Sequence, residues 1–139
     1  MKTILVVEDT EDDVFFLKRA LKSASVSHPV QVVEDGQKAL DYLSGTGVYA
    51  DRALYPLPFL VLLDLKLPYV MGLDVLKWIR GRREFDPMIV AVLTSSQQDH
   101  DLTETTRLGG NFYFVKPPTP EKLSDLVKKL ATQTSHLSI

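Results

Sequence analysis

A chain of 139 residues has the size of one domain, able to bury roughly 68–70% of its unfolded surface in a single core. With 45% hydrophobic and 24% charged residues it has a globular composition, and a net charge of −2 carries no nucleic-acid footprint. The absence of cysteine excludes disulfides and thiolate metal sites, and no apolar run approaches the roughly 18 residues of a membrane span.

The N-terminus, MKTILVVEDTEDD, reaches acidic residues too early for a signal peptide. A cytoplasmic protein is expected, with neither membrane nor nucleic acid as partner. Thr3 to Val7 is a short apolar run, a strand ending in Glu8 and Asp9. Thr10 with Asp13 predicts a capping box, and Val14, Leu17 and Leu21 carry a helix to about Ser23. Pro29 and Gly36 bracket a second strand, Val30 to Val33. Gln37 to Leu43 is a short helix stopped by Gly45 and Gly47. The connection from Gly45 to Pro58 is long for a compact domain. It reads equally well as an insertion packed by its own tyrosines and as a partner contact.

Phe59 to Leu63 is apolar without alternation, as in a strand buried on both faces of a parallel sheet, and it ends on Asp64. Pro68 and Gly72 bound a turn. Leu73, Leu76 and Ile79 mark a helix ending near Arg83, with Arg80, Arg82 and Arg83 solvated at its C-terminus. Met88 to Leu93 is another buried strand, closing on Thr94, Ser95 and Ser96. Ser96 with Asp99 predicts the cap of a helix from Gln97 to Leu108, whose few apolar residues should leave it loosely held. Asn111 to Val115 is the fifth strand, ending at Lys116-Pro117. Thr119 and Pro120 start a last helix with Leu123, Leu126, Val127 and Leu130 on its core face. Thr132 to Ile139 reads as a frayed tail, leaving residues 1–131 as the domain.

Five strands alternating with five helices predict a doubly wound α/β domain whose parallel sheet has the order 2-1-3-4-5. In such sheets ligands bind at the carboxyl ends of the strands, beside the switch point between strands one and three. Glu8, Asp9 and Asp64 converge there. Three carboxylates at close range repel unless a cation joins them, and Mg²⁺ takes such oxygen ligands. Thr94 and Lys116 end strands four and five on the same rim. A hydroxyl and an ammonium beside a cation form a receptor for a phosphoryl group, which leaves Asp64 as a nucleophile able to form an acyl phosphate.

The set Glu8-Asp9, Asp64 in LLDLKLP followed by Gly72, Thr94 in VLTSS, and Lys116-Pro117 preceded by Tyr113 resembles the receiver domain of two-component response regulators. The resemblance covers about Lys2 to Leu130 and implies the flavodoxin-like receiver fold. It implies Asp64 as phosphoacceptor and Mg²⁺ bound by Asp9, Asp64, the Lys66 carbonyl and, in support, Glu8. Lys116, Thr94 and Ser95 would contact the phosphoryl group, and Thr94 and Tyr113 would form the switch pair. A cis Lys116-Pro117 bond is implied as well. Lys66 and Ser96 lie where the family tunes dephosphorylation. Glu8 stands where aspartate is more usual. The long GTGVYADRALYPLP connection is similar to that of small regulators associated with phytochrome-type histidine kinases, so a sensor histidine kinase is the expected partner.

Duller readings exist for each residue taken singly. Glu8, Asp9, Thr94 and Ser96 could be helix caps, Lys116 a loop lysine and Tyr113 a core residue. Two other classes fit less well. An aspartyl-phosphate phosphatase would need an acid two residues after Asp64, where Lys66 stands. A nucleotide binder would need a phosphate cradle after the first strand, where EDTEDD would repel phosphate. The expectation is therefore a phosphoacceptor signalling protein, not an enzyme, that catalyses only its own phosphorylation and slow dephosphorylation. With no output domain after the last helix, its signal would pass through the surface of the last two helices and fifth strand, to a partner or to a second copy in a homodimer.

Overall fold

The computed structural model describes residues 2–95 and 99–137, without the side chains of 99–101 and 131–137. Strands β1 (Thr3–Val7), β2 (Val30–Val33), β3 (Pro58–Asp64), β4 (Ile89–Thr94) and β5 (Phe112–Val115) form one parallel sheet in the order β2-β1-β3-β4-β5. Helices α1 (Glu11–Ser23), α2 (Gly36–Ser44), α3 (Gly72–Arg80), α4 (Asp99–Arg107) and α5 (Pro120–Leu137) connect and follow them. The doubly wound reading holds.

Both faces of the sheet are covered, and the strand pleat distributes side chains between them. Leu5, Val7, Val61, Leu63, Val90 and Val92 pack with Leu43 of α2 and Val75, Leu76 and Ile79 of α3. Ile4, Val6, Leu60, Leu62, Ala91 and Leu93 pack on the other face with Leu17 and Leu21 of α1 and Leu123, Leu126 and Leu130 of α5. Ile4, Leu5, Val6 and Val7 are each 0% exposed, which explains why β1 shows no polar alternation. Full burial of each such side chain is worth roughly 1.5–3 kcal/mol.

Several expectations change. Thr10 is the N-cap of α1, but its side chain makes no capping bond and lies 3.4 Å from Asp9 Oδ1. Asp13 turns instead toward Lys116, so the capping box does not form. Helix α2 begins one residue early, at Gly36, because Asp35 accepts the Lys38 N–H at 2.7 Å as its N-cap. Ser96 falls outside the described residues. The stretch read as a frayed tail is helical as far as Leu137.

Arg80 is not solvated. Helix α3 stops there, and the guanidinium donates to the carbonyls of Gly109 (2.9 Å), Phe85 (3.1 Å) and Met88 (2.8 Å) and to Asn111 Oδ1 (2.7 Å). Asn111 Oδ1 also accepts the Val90 N–H, so this fork ties α3 to the starts of β4 and β5. Arg82 stacks over the Trp78 ring at 4.3 Å, and Arg83 is exposed.

The connection after α2 contains a 3₁₀ turn, Gly47–Ala50, and is packed by its own aromatics. The Tyr42, Tyr49 and Tyr55 rings meet at centroid distances of 5.1, 5.9 and 5.0 Å. Tyr42 donates to the Pro56 carbonyl at 2.8 Å. Arg52 donates to the carbonyls of Tyr42 and Leu43 at the end of α2 and to that of Tyr55 in the connection, tying the two together.

Candidate functional site

Parallel register brings the chemistry together. Val7 pairs with Leu63, Asp64 with Leu93, and Thr94 with Val115, so Glu8, Asp64, Thr94 and Lys116 emerge side by side at the carboxyl ends of β1, β3, β4 and β5. Glu8, Asp64 and Thr94 are buried, at 1%, 4% and 1% exposure. Asp9 is exposed. Gly72 closes the turn after β3 by donating its N–H to the Leu65 carbonyl at 3.1 Å. A Cβ there would run into the Asp64 carbonyl, so only glycine lets α3 start this close to the site.

Lys116 lies at the centre. Its Nζ is 2.7 Å from Glu8 Oε2, 3.0 Å from Asp64 Oδ2 and 3.1 Å from Asp13 Oδ2, with the side chain 15% exposed. The backbone fixes this reach: the Lys116 N–H donates to the Thr94 carbonyl at 2.7 Å, and the Lys116-Pro117 bond is cis. Burial works against the ammonium's charge, yet Glu8 and Asp64 outweigh it and hold the lysine pKa above its ordinary value. Burial pushes the Glu8 carboxyl up to about 7; Asp64 adds to the rise and Lys116 opposes it.

Asp64 Oδ1 accepts the Lys66 N–H at 3.2 Å, leaving Oδ2 toward Lys116. Lys66 and Ser95 are exposed on the wall of a cavity of about 510 Å³, which Asp9, Asp13, Asp64 and Lys116 also line. Thr94 ends β4 on the same sheet face as Tyr113: Val92 pairs with Tyr113, and Thr94 lies one pleat beyond Val92. Tyr113 is half-buried against the cluster under α2 and α3. Glu8, Asp9, Asp64, Lys66, Thr94, Ser95 and Lys116 are thus gathered on one rim, Tyr113 lies one pleat below it, and Ser96 is outside the described residues.

Carboxylate oxygens of Glu8, Asp9 and Asp64 lie within 4.8 Å of one another. Both Glu8 oxygens are buried and accept no hydrogen bond; the Lys116 approach to Oε2 is an ion contact without hydrogen-bond alignment. A buried carboxylate with unused lone pairs beside two others suits a hard cation held by oxygen. The donor set therefore fits a divalent metal.

Asp13 is the residue that sequence reasoning passed over. An acid at the third position of the first helical turn reads as part of a cap, although the density of the run EDTEDD beside a strand end is a signal of its own.

The chain belongs to the response regulator receiver domain family, which matches residues 4–128. It is 34% identical over 127 residues to the response regulator Rcp1 of a Synechocystis strain, covering 91% of this chain and 82% of that protein. Among solved structures it is similar to the bacteriophytochrome response regulator AtBRR, with 38% identity, a TM-score of 0.82, and 94% and 93% of the two chains covered. The phosphorylated cyanobacterial phytochrome response regulator RcpA matches at 34% identity and a TM-score of 0.78, covering 93% and 90%. Rcp1 in its Mn²⁺-bound form matches at 32% and 0.76, covering 94% and 91%. None of the described helices is long and apolar enough to cross a membrane.

Proposed function

We propose that this chain is a response regulator of a two-component phosphorelay that accepts a phosphoryl group from the phosphohistidine of a histidine kinase onto Asp64. The observation that carries the reading is Asp64 itself, a buried carboxylate at the floor of an open cavity with an ammonium 3.0 Å from Oδ2. Attack of an Asp64 oxygen on phosphorus forms an acyl phosphate while the P–N bond breaks, its electron pair leaving with the imidazole. The Lys66 N–H orients the carboxylate, and Lys116 is placed to neutralise an equatorial phosphoryl oxygen. Thr94 and Ser95 are the further phosphoryl contacts.

The cation that fits is Mg²⁺, which Asp9, Asp64 and the Lys66 carbonyl would hold, with Glu8 in support. When bound, it offsets charge on the carboxylates and the phosphoryl oxygens. The Mn²⁺-bound Rcp1 and the phosphorylated RcpA support cation and phosphoryl chemistry in this family. The same relatives favour a phytochrome-type sensor kinase as partner. The chain turns over no separate substrate. Beyond its own phosphorylation it catalyses only slow dephosphorylation, tuned at Lys66 and Ser96.

Output runs through Thr94 and Tyr113, whose shared sheet face lets a pull on the Thr94 hydroxyl change the packing of the Tyr113 ring. The receiving surface is α4, β5 and α5, open to a target or to a second copy of the chain. Incubation with a phosphorylated histidine kinase should leave one acid-stable, base-labile phosphoryl group. Mass spectrometry should place it on Asp64, and label persisting in Asp64→Asn would overturn the assignment.

A further inference from the structure

Lys116 touches three carboxylates, and they are not equivalent. Glu8 and Asp64 belong to the group that can hold a cation, whereas Asp13 does not. A dication drawn to Glu8 and Asp64 meets an ammonium already 2.7 and 3.0 Å from their oxygens, so lysine and metal compete for the charge of the same two carboxylates. Among the described residues, Asp13 is the one carboxylate contact of the ammonium that the metal leaves in place. Its Oδ2 is 3.1 Å from Nζ, in the first turn of α1, with the side chain 41% exposed at the cavity wall.

We infer that Asp13 is a positioning residue: it receives the Lys116 ammonium when a divalent cation takes Glu8 and Asp64, and so sets both the cation affinity and where the lysine waits for the phosphoryl group. The lysine side chain needs no large movement, because Nζ already lies in contact with all three partners. What changes is the share of its charge that each one holds. Two consequences separate this from a role for Asp13 as a nearby negative charge. Its effect on the cation must pass through Lys116, and another carboxylate on α1 that reaches the ammonium must serve in its place. The inference rests on the cation site proposed above.

The test is a double-mutant cycle read by calorimetric titration with MgCl₂ alone, on the full chain at fixed ionic strength. Asp13→Asn should weaken Mg²⁺ binding about fivefold or more, the range of coupling between charged groups in contact. The same substitution in a Lys116→Met background should change binding by less than about twofold, since an exposed charge acting alone is largely screened. Asp13→Glu should restore most of the native affinity. Circular dichroism checks that each variant is folded, and Asp13→Ser supplies a second truncation if Asp13→Asn is not. Equal losses in the native and Lys116→Met backgrounds would overturn the inference while leaving the cation site standing. A native chain that bound no Mg²⁺ would overturn both.

Discussion

Arg80 and Lys116 are two half-buried cations at opposite ends of the same sheet, each ringed by oxygens, and the difference between their rings separates framework from function. Arg80 sits below the starts of β4 and β5, held by three backbone carbonyls and one amide oxygen. Burial lowers its pKa against the opposing charge of Asp86, and among the described residues no carboxylate hydrogen-bonds to it. Its acceptors are neutral and belong to backbone or a short side chain, so nothing that binds the protein can draw them away. Lys116 sits at the other end, held by Glu8, Asp64 and Asp13. Those acceptors are charged, and a cation or phosphoryl group can claim any of them. One ring fixes the fold, and the other can be redistributed.

The largest effect expected from this contrast is at the fixed end. Arg80→Met should cost about 3 kcal/mol, because truncation leaves the carbonyls of Met88 and Gly109 short of a donor and cuts the tie from α3 to β4 and β5, although the Phe85 carbonyl keeps the Met88 N–H. Urea denaturation measures it, and a loss under about 0.5 kcal/mol would erase the contrast. Lys116→Met in cation-free buffer should cost less, about 2 kcal/mol, by leaving Glu8 and Asp64 without a counter-charge. Asp64→Asn should move the other way. Removing one carboxylate from a crowded cluster should add about 0.5–1 kcal/mol while abolishing phosphorylation, as expected where stability has been given up for function.

The smallest energetic effect concerns output. A phosphoryl mimic bound at the rim should alter amide exchange across α4 and β5 more than in α1. Helix α4 offers Leu102 half exposed and only Thr105 buried among its described side chains, so it shifts at low cost. Thr94→Ala should mute the change while Asp64 still accepts the phosphoryl group. Equal exchange changes in α1 and α4 would move the output surface elsewhere.

How far the sequence could be read follows the same division. The rim was legible because its chemistry sits at strand ends: apolar runs closing on Glu8, Asp64, Thr94 and Lys116 locate both the strands and the crevice. The alternation of elements points to the doubly wound class, and the handedness and crossover rules lead from there to the sheet order. Asp13 escaped because a local rule, the helix cap, explained it first, and its contact with Lys116 spans 103 positions. Arg80 escaped for the same reason. A basic residue at a helix C-terminus looks solvated until Gly109 and Asn111, 29 and 31 positions away, are folded against it. Arg52 shows a milder case, since its clamp on the end of α2 depends on how the tyrosines turn the connection back. Local pattern locates elements and their ends, and it is blind to partners brought together by the fold.

The most direct test of the difference between the two rings is the urea midpoint of the native chain, Lys116→Met and Arg80→Met with and without MgCl₂. Ligand that binds only the folded chain stabilises it by about 2.7 kcal/mol at a hundredfold excess over its dissociation constant. The native midpoint should rise with Mg²⁺, the Lys116→Met midpoint should rise further and recover most of its deficit, and Arg80→Met should gain only the native increment. Three midpoints indifferent to Mg²⁺, or a Lys116→Met deficit that Mg²⁺ leaves untouched, would contradict the account of the rim as a set of charges that a cation redistributes.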